Sequence, residues 1–97
     1  MNNQTPNPKL LQVKIISPRQ IVFEGPALSV SSKNSCGKFD ILPEHANFIS
    51  LIQKEPIIIQ TSGKDSKTYQ FDMAVIYTSL DKVNIFTDLQ LAFNPNS

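Results

Sequence analysis

The sequence has few of the residue types that usually build a chemical site. Its 97 residues include one cysteine, one histidine, three glycines and no tryptophan. The single Cys36 excludes an internal disulfide, and with it the stapled scaffold of many small secreted proteins. One histidine is too few for a metal site built on several His ligands, and three scattered glycines supply no phosphate-binding loop. These absences argue against a disulfide scaffold, a metalloenzyme and a nucleotide-binding loop.

Charge and long apolar runs are also scarce. Charged residues make up 18% of the chain and the net charge is +1, so no strong field attracts nucleic acid or an acidic surface. No apolar run approaches the roughly 20 residues that span a bilayer. The first residues, 1–9, lack the basic and apolar regions of a signal peptide. We therefore expect a soluble intracellular protein with no nucleic-acid partner.

The hydrophobic pattern is typical of β-strands. Apolar and polar residues alternate along most of the chain, as in Leu11–Ile15 and Val83–Thr87, and Ile57–Ile59 are three consecutive β-branched residues. Turn signals separate these runs. We expect a strand to break at Gly25-Pro26 and a hairpin tip at 62–66. The pattern predicts an all-β, single-domain sandwich of two mainly antiparallel sheets with roughly nine or ten short strands.

The predicted domain organisation is equally simple. We expect a flexible N-terminal tail over 1–8, the β-sandwich over 9–92 and a flexible C-terminal end over 93–97.

The stretch from Gly37 to Phe48 is the most informative part of the sequence. It is predicted to be a strand, a turn led by Pro43 and a second strand, with Glu44 and His45 side by side on an exposed tip. A polar tip on a rigid scaffold is a common place for binding function. The other interpretation is an ordinary solvated turn.

Four segments, taken in order, resemble one known family. The segments are LQVKIISP at 11–18, VFEG at 22–25, GKFDILPEHAN at 37–47 and VNIFTD at 83–88. Together they resemble the N-terminal β-sandwich domain of the epsilon subunit of F-type ATP synthases, which is called delta in mitochondria. The resemblance covers about residues 9–92.

Several positions depart from the family pattern. Asp40 and Glu44 stand where the family usually has glycine, and Asn47 stands where it has proline. A glutamate is strained at positive φ, so we expect the turn at Glu44 to have a different shape. The family's C-terminal two-helix hairpin, which binds ATP in some members, would follow the last strand, and the 97 residues end before it, either because the protein is naturally short or because the sequence was cut. The resemblance therefore implies that this chain binds no ATP and no other cofactor.

The resemblance implies a non-catalytic role in the central stalk, or rotor, of an F-type ATP synthase. The subunit would link the gamma subunit to the membrane rotor ring and so couple ion flow to ATP synthesis. It would lie at the cytoplasmic face of the bacterial plasma membrane, or the organellar equivalent, and touch the membrane only through the complex.

The resemblance also assigns two interfaces. Its implied rotor-ring interface comprises Ser35, Gly37 and Lys38. Family members often have an acidic or polar residue at the position of Lys38, which implies a partner loop of different charge or a loose contact. The implied gamma-subunit interface comprises Ser17, Glu44, His45, Ala46 and Ser50.

Two other classes of function stay open from the sequence. One is a stand-alone β-sandwich that binds a ligand or mediates adhesion. The other is a hydrolase in which Cys36 and His45 form a nucleophile–base pair and Asp40 orients the histidine.

Overall fold

Short strands account for most of the structure. The computed structural model describes residues 9–44 and 47–88, which contain nine strands and no helix. The strands are β1 (Leu11–Ile16), β2 (Ile21–Ala27), β3 (Ser29–Asn34), β4 (Gly37–Ile41), β5 (Phe48–Ile52), β6 (Pro56–Gln60), β7 (Ser66–Gln70), β8 (Ala74–Ser79) and β9 (Lys82–Thr87). The number of strands confirms the prediction from the alternating pattern.

The strands form two sheets. One has five strands in the order β2-β1-β9-β8-β5, and the other has four in the order β4-β3-β6-β7. All neighbouring pairs are antiparallel except β1 and β9, which run parallel. The predicted sandwich of two mainly antiparallel sheets is therefore confirmed.

The two sheets enclose an aliphatic core. Every second residue of the central strands points inward, so β1, β8 and β9 show a strictly alternating pattern of burial. Branched side chains dominate the core, which suits the pleated surface of a sheet. The buried apolar residues are Leu11, Val13, Ile15, Ala27, Val30, Ile41, Ile52, Ile57, Ile59, Ala74, Ile76, Val83 and Ile85.

The expected break at Gly25-Pro26 is wrong. Strand β2 continues through both residues, and Pro26 pairs in register with Gln12 of β1. Proline is tolerated there because β2 is an edge strand, where the missing N–H need not interrupt a central ladder. The chain bends at Leu28 instead and passes to the other sheet, where the Leu28 N–H donates to the Gln60 carbonyl at 2.7 Å.

The predicted hairpin at 62–66 is confirmed. Strands β6 and β7 pair antiparallel, with Ile57 opposite Tyr69. The N–H groups of Thr61 and Ser62 donate to the Asp65 carbonyl at 3.0 and 3.2 Å, which closes the tip.

The parallel pair β1–β9 fixes the two ends of the five-stranded sheet. Ile16, just before the β1–β2 turn, pairs with Phe86. Gln12, near the start of β1, pairs with Lys82, just after the β8–β9 turn. The two turns thus lie at opposite ends of the sheet, about 15–20 Å apart at the usual strand rise. We call these the Ser17 end and the Asp81 end.

One buried hydroxyl allows a direct test of this packing. Thr78 is 1% exposed, and no described group lies within hydrogen-bonding distance of its Oγ1. Thr78→Val keeps the shape and removes the unpaired hydroxyl. We expect it to raise the free energy of unfolding by about 1 kcal/mol in urea titrations.

Thr87→Val is the matched control for this substitution. Thr87 is equally buried, but its hydroxyl donates to the Ile16 carbonyl at 3.4 Å. The same change should therefore give no gain at this position, since it removes a hydrogen bond. A Thr78→Val protein no more stable than the parent would contradict the packing described.

Candidate functional site

The tip of the β3–β4 hairpin is exposed but firmly anchored. Ser35 and Cys36 form the two-residue turn, and Gly37 follows it with φ 125°, a conformation that favours glycine. The Cys36 N–H donates to Asn34 Oδ1 at 2.8 Å. Asn34 in turn donates from Nδ2 to Ser50 Oγ of the opposite sheet at 2.9 Å. The structure thus places Ser35, Gly37 and Lys38, predicted to face the rotor ring, together on one fixed tip.

Ser50 has an internal position in this structure. It is 8% exposed and accepts the hydrogen bond from Asn34 that ties the two sheets together. Its neighbours on β5, Ile49 and Leu51, point the other way and are 68% and 47% exposed. Any partner at this point of β5 would therefore meet these two side chains rather than the serine hydroxyl.

Ser17 organises the β1–β2 turn. Its Oγ accepts hydrogen bonds from the N–H groups of Arg19 and Gln20 at 3.3 and 3.1 Å. Its own N–H donates to the Gln20 carbonyl at 2.9 Å. This turn defines the Ser17 end of the sheet, whereas Glu44 lies at the Asp81 end. The structure therefore does not bring Ser17 and Glu44 together, and the predicted interface residues His45 and Ala46 lie outside the described residues.

The turn at Glu44 corrects one expectation from the sequence. Glu44 has φ 68°, a left-handed conformation that is unfavourable for glutamate. The chain thus adopts the positive φ that a glutamate was expected to avoid. The conformation is instead supported by contacts that the sequence pattern did not reveal.

Two neighbours hold Glu44 in place. Its N–H donates to Asp81 Oδ1 at 2.6 Å, and Lys9 Nζ lies 2.7 Å from Glu44 Oε2. The hydrogen bond and negative charge of Glu44, together with the charge of Asp81, raise the pKa of Lys9 above its ordinary 10.5. We call Lys9, Glu44 and Asp81 the Glu44 clamp. It fastens the motif turn to the β8–β9 turn, whose own residues Leu80 and Asp81 have φ 51° and 63°.

The clamp predicts a loss of stability for Asp81→Ala and a gain for Glu44→Gly. Asp81→Ala removes the acceptor of the Glu44 N–H and should lower the free energy of unfolding by about 1 kcal/mol. Asp81→Asn, the matched control, keeps a side-chain oxygen and a residue type that tolerates positive φ, so its loss should be smaller. Glu44→Gly relieves the strain and should raise stability by up to about 1 kcal/mol. Urea unfolding measures these values, and faster exchange of the residue 44 amide in Asp81→Ala than in Asp81→Asn identifies the bond.

The Lys9 side of the clamp gives a pH dependence. Because the folded-state pKa of Lys9 is raised, the contribution of Lys9 to the free energy of unfolding is complete below its ordinary pKa of about 10.5. The contribution is lost as the pH rises through the folded-state pKa. Lys9→Met should remove this alkaline loss while leaving the remaining pH profile unchanged. An identical alkaline profile in both proteins would contradict the ion pair.

A continuous apolar surface lies on the outer face of the five-stranded sheet. Register places Ile49 beside Tyr77, Leu51 beside Val75, and Val75 beside Phe86. Four of these five side chains are large exposed hydrophobics, and Val75 is half-buried. We call these five residues the outer apolar band. Sequence reasoning missed this band. The signal was that β5 and β8 carry apolar residues at both inward and outward positions, a pattern typical of strands covered on both faces.

The alternative Cys36–His45 pair stays a prediction, because His45 lies outside the described residues. Cys36 precedes the first residue of β4, and Glu44, next to His45 in sequence, lies beyond the last. The length of β4 therefore separates the proposed nucleophile from the motif turn. Asp40 accepts a hydrogen bond from Ser31 Oγ. Within the described ranges there is also no group of three or more potential metal ligands, and no helix long and apolar enough to cross a bilayer.

These features are typical of an interaction module. Its distinctive parts are an anchored hairpin tip, a clamped motif turn and an exposed apolar face on a rigid sandwich. Such exposed apolar faces mark contact surfaces in many proteins.

Comparison with known proteins assigns this module to a family. The family model described as "ATP synthase, Delta/Epsilon chain, beta-sandwich domain" matches residues 10–90. This chain belongs to that family.

Curated relatives carry the same description. The ATP synthase epsilon chain of Sulfurimonas denitrificans is 26% identical over 87 residues, which cover 90% of this chain and 67% of the relative. That of Clostridium novyi is 26% identical over 80 residues, which cover 82% of this chain and 61% of the relative. The chain thus spans about two thirds of the length of these relatives.

Solved structures share the fold. A chain of the Euglena gracilis mitochondrial ATP synthase, in a structure of OSCP, F1 and c-ring, matches with a TM-score of 0.74 and 10% identity. This match covers 89% of the present chain and 54% of the other. A chain from the central stalk and c-ring of the Tetrahymena thermophila enzyme matches with a TM-score of 0.65 and 12% identity, over 79% of the present chain and 62% of the other.

Proposed function

We propose that this chain is a central-stalk subunit of an F-type ATP synthase, which links the gamma subunit to the membrane rotor ring. Family membership over nearly the whole described sandwich carries this proposal. The chain performs no bond chemistry. It transmits torque between two partners and thereby couples ion flow to ATP synthesis at other sites in the complex.

The fold suits a mechanical role. The core is filled by branched aliphatic side chains, and close-packed interiors of this kind resist deformation. The Asn34–Ser50 hydrogen bond fixes the turn that precedes β4, and the Glu44 clamp fixes the turn that follows it. Loops held in this way can pass on a load without first rearranging.

We assign the outer apolar band to the gamma subunit. Stable protein contacts are centred on aromatic and aliphatic side chains that lose their water, and Tyr77 and Ile49 supply such a centre. The band extends along β5 beside Ser50 and includes Phe86, which pairs with the residue before Ser17. It therefore passes beside two positions of the predicted gamma interface, Ser17 and Ser50, although the side chain of Ser50 is buried. Glu44, at the Asp81 end, belongs to the same proposed interface, as do His45 and Ala46, which lie outside the described residues.

We assign the β3–β4 tip to the rotor ring. Ser35, Gly37 and Lys38 lie there on an anchored two-residue turn, as a contact with short polar loops requires. The subunit then contacts the membrane only through the complex, at the cytoplasmic face of a bacterial plasma membrane or its organellar equivalent.

A pair of matched variants tests the gamma assignment. Tyr77→Ala on the outer apolar band should weaken binding to purified gamma subunit by about tenfold or more, as expected for a central aromatic contact. Ile58→Ala is the control, because Ile58 is 38% exposed but lies on the outer face of the four-stranded sheet. Calorimetry with the unmodified chain and both variants gives the three dissociation constants.

The outcomes separate the assignment from the function itself. If the unmodified chain binds neither gamma nor the rotor ring, the stalk function is wrong, and binding of a glycan instead would favour a stand-alone module. If it binds gamma and Tyr77→Ala binds equally well, only the assignment to the outer apolar band is wrong. His45→Ala tests the motif side of the interface in the same way.

A further inference from the structure

Two lysines face each other on the exposed side of the β3–β4 hairpin. Lys33 and Lys38 are register partners, and both are exposed. Opposite residues in an antiparallel pair hold their Cβ atoms about 4.5–5.5 Å apart, and like charges in this arrangement repel. The hairpin therefore keeps two positive charges together where a neutral or opposite pair would be more stable. We call this pair the lysine doublet.

The acidic residues nearby form no close ion pair with the doublet. Asp40 lies two residues from Lys38 on the same face, and its carboxylate accepts a hydrogen bond from Ser31 Oγ. Glu55 lines the same depression as both lysines. Across the ranges 9–44 and 47–88, no carboxylate lies within 4.0 Å of the Nζ of either lysine.

The doublet also has a definite place in the fold. It is the second register pair from the Ser35–Cys36 turn. Asn34 ties this hairpin to the opposite sheet. The two ammonium groups are thus presented beside an anchored tip rather than on a loose loop. Their backbone positions are set before any partner arrives.

We propose that the lysine doublet binds a carboxylate on the polar loop of a rotor-ring subunit. This inference rests on the proposed function and specifies the chemistry of one of its contacts. A carboxylate between the two ammonium groups would cancel their repulsion and accept charge-assisted hydrogen bonds from both. A ring loop with a cation at that point would be repelled, so the doublet also selects the partner.

Charge reversal gives a signature that a merely structural role would not produce. Lys38→Glu removes the repulsion within the doublet and places a carboxylate opposite Lys33, although beside Asp40, so the isolated chain should not lose stability. The same substitution should weaken binding to the ring by about tenfold at low salt. The probe is the purified rotor ring of the same organism in lipid nanodiscs, titrated with the complex of this chain and gamma. Loss of affinity without loss of stability identifies a contact with the partner.

Lys67→Glu is the matched control. Lys67 is an exposed strand lysine near the Gln60 end of the four-stranded sheet, opposite the Ser35–Cys36 tip. Lys67→Glu should leave the affinity for the ring unchanged, whereas Lys33→Glu should weaken it as Lys38→Glu does. The difference between the parent and Lys38→Glu should shrink as salt screens the contact.

Three results are decisive. Equal ring affinity of Lys38→Glu, Lys33→Glu and the parent would overturn the proposal while leaving the stalk function intact. Equal weakening by Lys67→Glu would also overturn it, since the effect would then be one of overall charge. Failure of the parent to bind both gamma and the ring would instead reject the function on which the proposal rests.

Discussion

The burial of branched aliphatic side chains between two sheets is the constraint on which the structure depends. One cysteine allows no internal disulfide, and the few charged residues can form few stabilising ion pairs. The core must therefore supply most of the stability. The parallel β1–β9 pair joins the start of the sandwich to its last strand. Every loop of functional interest is a connection between strands that this core fixes.

The exposed surfaces follow from the same arrangement. Strands that contribute inward residues to the core also present outward ones, and on β5, β8 and β9 several of these are apolar as well. At the strand ends, short turns are tied to the body by Asn34 at one end and by Asp81 at the other. A small domain can thus offer different contacts at separate places and remain stiff between them, as the proposed stalk function requires.

Much of the fold was predictable, but its contacts were not. Alternation in Leu11–Ile15 and Val83–Thr87 indicated strands because period two is a local property of the sequence. The passage of β2 through Gly25-Pro26 was not predictable, since it depends on β2 being an edge strand. The left-handed Glu44 was also missed, because its support comes from Asp81, 37 residues away in the sequence. Ser50 and Lys33 show the same limit. Strand pairing across the sandwich decides that Ser50 is buried and that Lys33 faces another lysine.

Site-specific photocrosslinking in the assembled enzyme tests the central claim most directly. A crosslinking amino acid replaces Tyr77 in one sample, Lys38 in a second and Lys67 in a third, and the captured subunits are identified by mass spectrometry. The account predicts capture of gamma from position 77, capture of a rotor-ring subunit from position 38 and capture of neither from position 67. If the complex contains this chain and neither position 77 nor position 38 captures gamma or a rotor-ring subunit, the account is contradicted.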